Sequence, residues 1–382
     1  MVLDNKLVKK LHKATELRLD GENDKAIGIL ELLLRERPYL PAILKPLAEL
    51  YMAKVLHAKA AVMYERIAMV EDEDDLDAFF YINYANCLKR AGNYAEAEPN
   101  FKKAYELLPT NAAIIIEYAK FHFDYRHFDE AISLYEQALA IDKSNPIALM
   151  NMAILYSEKN DFDEAETLIK RALSIQSNDP NALATWTQIC ISAKKYETAE
   201  EILVKAISLY PEMVVLHINQ ALVFLRTNRL ELALANYNHV LAINADVKMA
   251  KISKAYVLTQ LNRFEDALLE YNSILNQGTD DDVLYKKSMV ELQMGNFHDG
   301  WKHHEARLNL EKYIYYTPAN EAIGGRWHRN NENIDKDLLV YGEQGLGDVI
   351  QMSRYVKALV DEGMNVTFQV NGNLYPLFKA MP

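Results

Sequence analysis

One pattern recurs down this chain at a fixed interval. It runs: a polar turn residue, an aromatic or apolar residue, two residues, Ala, three residues, a large apolar residue. It stands as Asn93, Tyr94, Ala97 and Phe101; as His127, Phe128, Ala131 and Tyr135; and as Asp161, Phe162, Ala165 and Ile169. Lys195, Tyr196, Ala199 and Leu203 continue it, followed by Arg229, Leu230, Ala233 and Tyr237, then Arg263, Phe264, Ala267 and Tyr271. Upstream, Ala26 with Leu30 and Ala60 with Tyr64 fit with weaker turns. The small marker falls at 26, 60, 97, 131, 165, 199, 233, 267 and, as glycine, 300. Its intervals are 34, 37, then 34 five times, then 33, and the long one holds an acidic insertion, Glu71 to Asp75. A phase held this long is the signature of stacked supersecondary units rather than of composition.

Each unit carries two helical faces. Leu149, Met152, Ala153 and Tyr156 share one at i, i+3, i+4, i+7, and Phe162, Ala165, Leu168, Ile169 and Ala172 share the next. Asn145-Pro146 and Asp179-Pro180 put a capping side chain before a proline at the first helical position. Pro38, Pro109 and Pro211 each stand twelve residues after a marker, where the second helix should stop. Pro46 and Pro99 fall within helical stretches, and the expectation there is an early-turn or kinked position.

The 34-residue period, the Ala-x3-aromatic pair and the terminal proline resemble the tetratricopeptide repeat family over residues 5–311. The first-helix Trp of that family is missing throughout, and its Gly is mostly Ala here, as at Ala48, Ala85, Ala119, Ala153, Ala221 and Ala255. The resemblance implies a mainly α fold: a solenoid of about nine helix pairs over residues 1–311. A helix pair cannot bury both faces alone, so neighbours stack and the first helices line a wall. Such a wall binds extended protein or peptide segments and performs no chemistry itself.

Spacing sketches that wall. Fourteen residues before successive markers lie Asn83, Glu117, Asn151, Thr185, Asn219 and Ser253. An amide both donates and accepts, so such a row can grip an extended backbone. The row resembles, in part, the asparagine ladder of the O-linked N-acetylglucosamine transferase repeat region. It reads equally as a solvated polar rim. Further groove candidates are Phe79, Asn86, Lys89, Arg90, Lys120, Phe123, Met150, Ile154, Gln188, Leu222 and Tyr256. The middle of the wall reads as mildly basic, which points to an extended polar or acidic partner segment.

Glycines mark a change of architecture: nine of the 13 lie at or after residue 295. Residues 312–337 read as a polar and aromatic connector with Trp327 as anchor. Residues 338–382 then read as strand, glycine loop, helix, strand. The strands are Leu338 to Tyr341 and Val366 to Val370, and the helix runs from Val349 to Glu362 and is closed by Gly363. This is a partial α/β, Rossmann-like β–α–β fragment. The loop at Gly345, Leu346 and Gly347 could cradle a phosphate. As a dinucleotide fingerprint it fails, because Ile350 stands where the third glycine belongs.

The run from Glu343 to Gln351, with Arg354-Tyr355, is similar to bacterial fusions of these repeats with a heptosyltransferase-like domain, glycosyltransferase family 9. Gly295 to Trp301 and Glu305-Ala306-Arg307 resemble the closing helix pair of those fusions. The resemblance assigns Asp348 as general base on an acceptor hydroxyl; Asp348 also reads as a helix cap. The chain ends at Pro382, 45 residues into that domain. The expectation is therefore no glycosyl transfer by this chain, no cofactor, and a nucleotide-sugar donor only in an extended enzyme. A binding scaffold is the primary reading, and the acceptor-recognition region of a bacterial glycosyltransferase is the alternative.

Composition narrows the classes further. Hydrophobic residues at 50% exclude wholesale disorder. A net charge of −12 argues against a general nucleic-acid binder. Cys87 and Cys190 read as buried free thiols, too few for a disulfide framework or a four-thiolate zinc site. His298, His303 and His304 lack the i, i+4 spacing of a helical metal pair, so no metal site is expected. No apolar run is long enough to span a bilayer and no signal core opens the chain, so a cytoplasmic protein is expected. Self-association through solenoid ends or the incomplete C-terminal sheet is a further expectation.

Overall fold

The computed structural model describes residues 5–310, 337–341 and 345–379. The chain divides into two compact units, Met1–Ala245 and Asp246–Pro382.

The first unit is built from helix pairs: α1 (Asn5–Leu19) with α2 (Asn23–Glu36), α3 (Pro41–Ala53) with α4 (His57–Val70), and α5 (Ala78–Arg90) with α6 (Tyr94–Leu107). Then come α7 (Ala112–Asp124) with α8 (Phe128–Ile141), α9 (Pro146–Glu158) with α10 (Phe162–Ile175), α11 (Pro180–Ser192) with α12 (Tyr196–Leu209), and α13 (Val214–Arg226) with α14 (Leu230–Ile243). Each helix packs on its partner and on the next helix in the chain, so the core is a continuous seam between layers. The markers Ala26, Ala60, Ala97, Ala131, Ala165, Ala199 and Ala233 are all fully buried. The aromatics four residues later, Tyr64, Phe101, Tyr135 and Tyr237, fill the space between pairs. Phe101 meets Phe121 of the following pair at 4.9 Å between ring centres.

Helix ends follow local chemistry. The Asn145 and Asp179 side chains accept from the amides of Ala148 and Ala182, with proline at the first helical position. Asp77, Asn111 and Asp161 cap α5, α7 and α10 in the same way. The helices α2, α6 and α12 stop two residues before Pro38, Pro109 and Pro211. Pro46 and Pro99 lie in the second turn of α3 and α6, helix interior rather than first turn. The acidic insertion forms a short 3₁₀ turn at Glu73–Asp75. Glu71 pairs with Lys45 at 2.7 Å and Glu73 with Lys103 at 2.7 Å. Cys87 and Cys190 are buried free thiols, and burial pushes both up to about 11.

The second unit holds two more pairs, α15 (Lys248–Gln260) with α16 (Phe264–Leu275) and α17 (Asp281–Gln293) with α18 (Phe297–His304). A 3₁₀ segment, Glu305–Asn309, follows and packs on α17. At the ninth marker, a Cβ on Gly300 would lie 2.7 Å from Leu292 Cδ2 and 3.2 Å from the Leu292 amide nitrogen. Here α18 approaches α17 too closely for alanine. Further on, β1 (Asp337–Tyr341) and β2 (Asn365–Gln369) pair in parallel, Leu338 opposite Val366. Between them the expected single helix is two, α19 (Leu346–Met352) and α20 (Arg354–Asp361), separated at Ser353. Gly363 at φ +91° closes α20, and α21 (Tyr375–Lys379) follows β2. Residues 312–336 with Trp327, and Gly342, Glu343 and Gln344 of the loop motif, lie outside the described residues.

Candidate functional site

Within the first unit, α5, α7, α9, α11 and α13 touch one another in series, first helix to first helix. Second helices make no comparable contact with one another. First helices are therefore the closer-packed side, and their open faces form one wall.

On each of these helices the positions eighteen, fourteen, eleven and seven before the marker share one face, being spaced i, i+4, i+7, i+11. Asn83, Glu117, Asn151 and Thr185 stand on it half-buried, one per helix. Asn219 differs. It is 4% exposed, and its Nδ2 donates to Ala184 O at 3.1 Å and to Thr187 Oγ1 at 2.7 Å. The amide expected to face a ligand instead ties α13 to α11. Its partner Thr187 is fully buried and donates in turn to Ala184 O at 2.7 Å. Thr187 carries no periodic signal in the sequence: a buried hydroxyl two residues along from the ladder position Thr185 leaves no trace at the repeat interval.

The next row holds Asn86, Lys120, Ile154 and Leu222 half-buried and Gln188 exposed. Tyr256 is exposed on α15 of the second unit, where Ser253 is half-buried. Phe123 is half-buried, with its ring 5.9 Å from Phe128. The expected basic character is largely cancelled. Lys89 pairs with Asp124 of the following pair at 2.9 Å, and Lys120 with Glu117 at 3.0 Å. Arg90 is exposed.

Beside the exposed charges of Arg90, Asp124, Glu158 and Arg226, seven residues before the markers, the wall shows apolar side chains. Phe79, Ile147 and Val215 stand at the same register on alternate first helices, 54%, 53% and 38% exposed. Ala113 and Asn181 occupy the register between them. Of this row the sequence reading found only Phe79; the offset of eighteen residues before the marker would have found the others. The geometry is thus a row with apolar side chains on alternate helices beside a polar row that includes the amides of Asn83 and Asn151.

In the second unit, Asp348 is exposed in the first turn of α19 and does not cap it; Gly345 is the capping residue, with no side-chain bond. Gly345, Leu346 and Gly347 are exposed. His303 Nδ1 lies 2.7 Å from buried Glu291, and His304 Nδ1 lies 3.2 Å from Ser288 Oγ. Among the described residues, no three His, Cys, Asp or Glu side chains are grouped to hold a metal, and no helix is long and apolar enough to cross a membrane.

Tetratricopeptide repeat models match residues 88–132, 123–189 and 218–282. No curated protein matches the chain. Among solved structures, it is similar to a tetratricopeptide repeat protein from Parabacteroides merdae at 16% identity, over 65% of this chain and 97% of that one, with a TM-score of 0.57. It is also similar to human IFIT1, solved as a dimer with m7Gppp-AAAA, at 17% identity over 78% of this chain and 76% of that one, with a TM-score of 0.55. The residues matched by the family models end at 282, and the resemblance of the β–α–β segment to a glycosyltransferase finds no support in these comparisons. The helix pairs within residues 88–189 and 218–282 match tetratricopeptide repeat models, and the fold is that of a tetratricopeptide-like solenoid.

Proposed function

We propose that this chain is a scaffold that binds an extended protein segment along the first-helix wall of its first unit. The observation that carries this is the exposed row of Phe79, Ile147 and Val215 beside the half-buried amides of Asn83, Asn86 and Asn151. Large apolar side chains held open at a fixed register serve no core, and amides beside them supply backbone donors and acceptors. The partner expected is a segment with apolar side chains at intervals and a backbone free to bond. Pairing of Lys89 and Lys120 removes the reason to expect it to be strongly acidic.

Selection of a displayed peptide library on the intact chain tests this. Selected peptides should lose at least about tenfold in affinity on Phe79→Asp/Ile147→Asp/Val215→Asp. The melting temperature should hold, because these side chains are already in water. Unchanged affinity would place the site elsewhere. Binding of a capped oligoadenylate to the same wall, competed by none of the peptides, would replace the protein-ligand reading.

A further inference from the structure

At the opposite margin of the first unit, α1 carries Lys6, Lys9, Lys10 and Lys13 at i, i+3, i+4 and i+7, all on one side. Their stems and the α2 residues Ile29 and Leu32 line a cleft of about 310 Å³. Leu32 is 57% exposed, so the cleft floor is apolar and open. Lys13 pairs with Glu16 of its own helix at 3.3 Å. Among the described residues, Lys9 and Lys10 make no ion pair.

This arrangement runs against helix stability twice, and against the charge balance of the chain once. The lysines form four like-charge pairs at neighbour spacing, each of which destabilises a helix. Lys6 stands in the first turn of α1, where the helix dipole disfavours a cation, and no acid stands in that turn. The lysines also gather on a chain that carries acid in excess, 54 Asp and Glu against 42 Lys and Arg. An exposed helix needs a polar outer face for solubility, but mixed charges meet that need without the repulsion. Local rules broken together in one place mark a functional surface.

We propose that the α1–α2 cleft docks an acidic segment of a partner protein, with carboxylates on the lysines and one apolar side chain over Ile29 and Leu32. Charge complementarity selects the carboxylates. The recessed floor favours a protein segment over a membrane surface: a helix that lies on lipid turns its apolar side outward, whereas Ala14 and Leu17 of α1 are buried inward and Leu7 and Leu11 pack into the core behind them.

The test uses the intact chain and the acetylated peptide Glu-Glu-Leu-Glu-Glu-Leu-Glu-Glu, with a Gln-for-Glu control and phosphatidylcholine vesicles doped with phosphatidylserine. The acidic peptide should bind, the control should not, and about 0.5 M salt should abolish binding. Lys9→Gln/Lys10→Gln should weaken binding at least about tenfold while holding or raising the melting temperature, since it relieves like-charge repulsion. Leu32→Ser should weaken binding and leave the fold intact. The wall variant at Phe79, Ile147 and Val215 should bind this peptide normally, which separates the two sites. Equal affinity for the lysine variant, equal binding of the control, or retention by the vesicles but not the peptide would each overturn the proposal. So would a fall in melting temperature with unchanged affinity, which would make the lysines a structural cap.

Discussion

At the scale of single residues, the most regular feature is the backbone rather than any side chain. Gly21, Val55, Gly92, Arg126, Asn160, Lys194, Asn228, Asn262 and Gly295 all have φ between +57° and +83°. Each stands five residues before a marker, so one left-handed residue ends every first helix. The following amide closes the turn, as where Asp161 N–H donates to Tyr156 O at 2.8 Å and Asn160 N–H to Ser157 O at 3.0 Å. Side-chain identity hides this phase, because glycine, asparagine and long polar residues all fill it. Val55 is the outlier: a β-branched residue at φ +61°, 70% exposed, with little packing to lose. Val55→Gly should therefore raise stability by about 1 kcal/mol in urea unfolding, the left-handed penalty less the entropy glycine gains unfolded. Asn219 makes the opposite case. Asn219→Ala removes the donor that Thr187 Oγ1 accepts from and one of the two side-chain donors to the Ala184 carbonyl, in a buried place, and should cost about 1–3 kcal/mol. Asn151→Ala, half-buried on the wall, should leave the melting temperature nearly unchanged.

Between elements, neighbouring pairs are laced by a repeated ion pair. Lys54 reaches Asp24 at 2.7 Å, Lys159 reaches Asp129 at 2.9 Å, and Lys195 reaches Glu166 at 2.8 Å. Arg229, at the start of α14, grips Glu200 of α12 with both nitrogens, at 3.0 and 2.6 Å. These bonds hold the Glu200 carboxyl below its ordinary 4.5. The stabilisation it lends is then complete above pH 4.5 and is lost as pH falls through the lower folded value. Both side chains are over a third exposed, so screening limits the pair to about 0.2–1 kcal/mol. Thermal unfolding of wild type and Glu200→Gln should differ by that much at neutral pH, and the difference should shrink and vanish as the pH falls below 4.5 and through the lower folded value. A gap that persisted in acid would mean that the contact is packing, not charge.

At the scale of the molecule, the repeat phase made the helix pairs legible, and caps and prolines made their ends legible, because both are written within one unit. What the wall presents was less so. Lys89 meets Asp124, thirty-five residues on, and Asn219 meets Ala184, thirty-five back. Such contacts join one unit to the next, and periodicity says which residues share a face but not which of them a neighbour claims. The gap at Ser353 and the division after Ala245 carry no motif at all. The β–α–β order was readable from two apolar runs and the helical spacing and glycines between them, whereas the reading of Asp348 as a base rests on resemblance alone.

The lacing of each pair only to its neighbours also bears on how such a chain changes over generations. Gain or loss of one whole period hands every flanking side chain an equivalent partner, while a slip of a few codons inside a helix breaks both seams at once. Lineages of this gene should therefore differ in length by whole periods, with shorter insertions gathered in the turns, as the acidic insertion after Val70 already is.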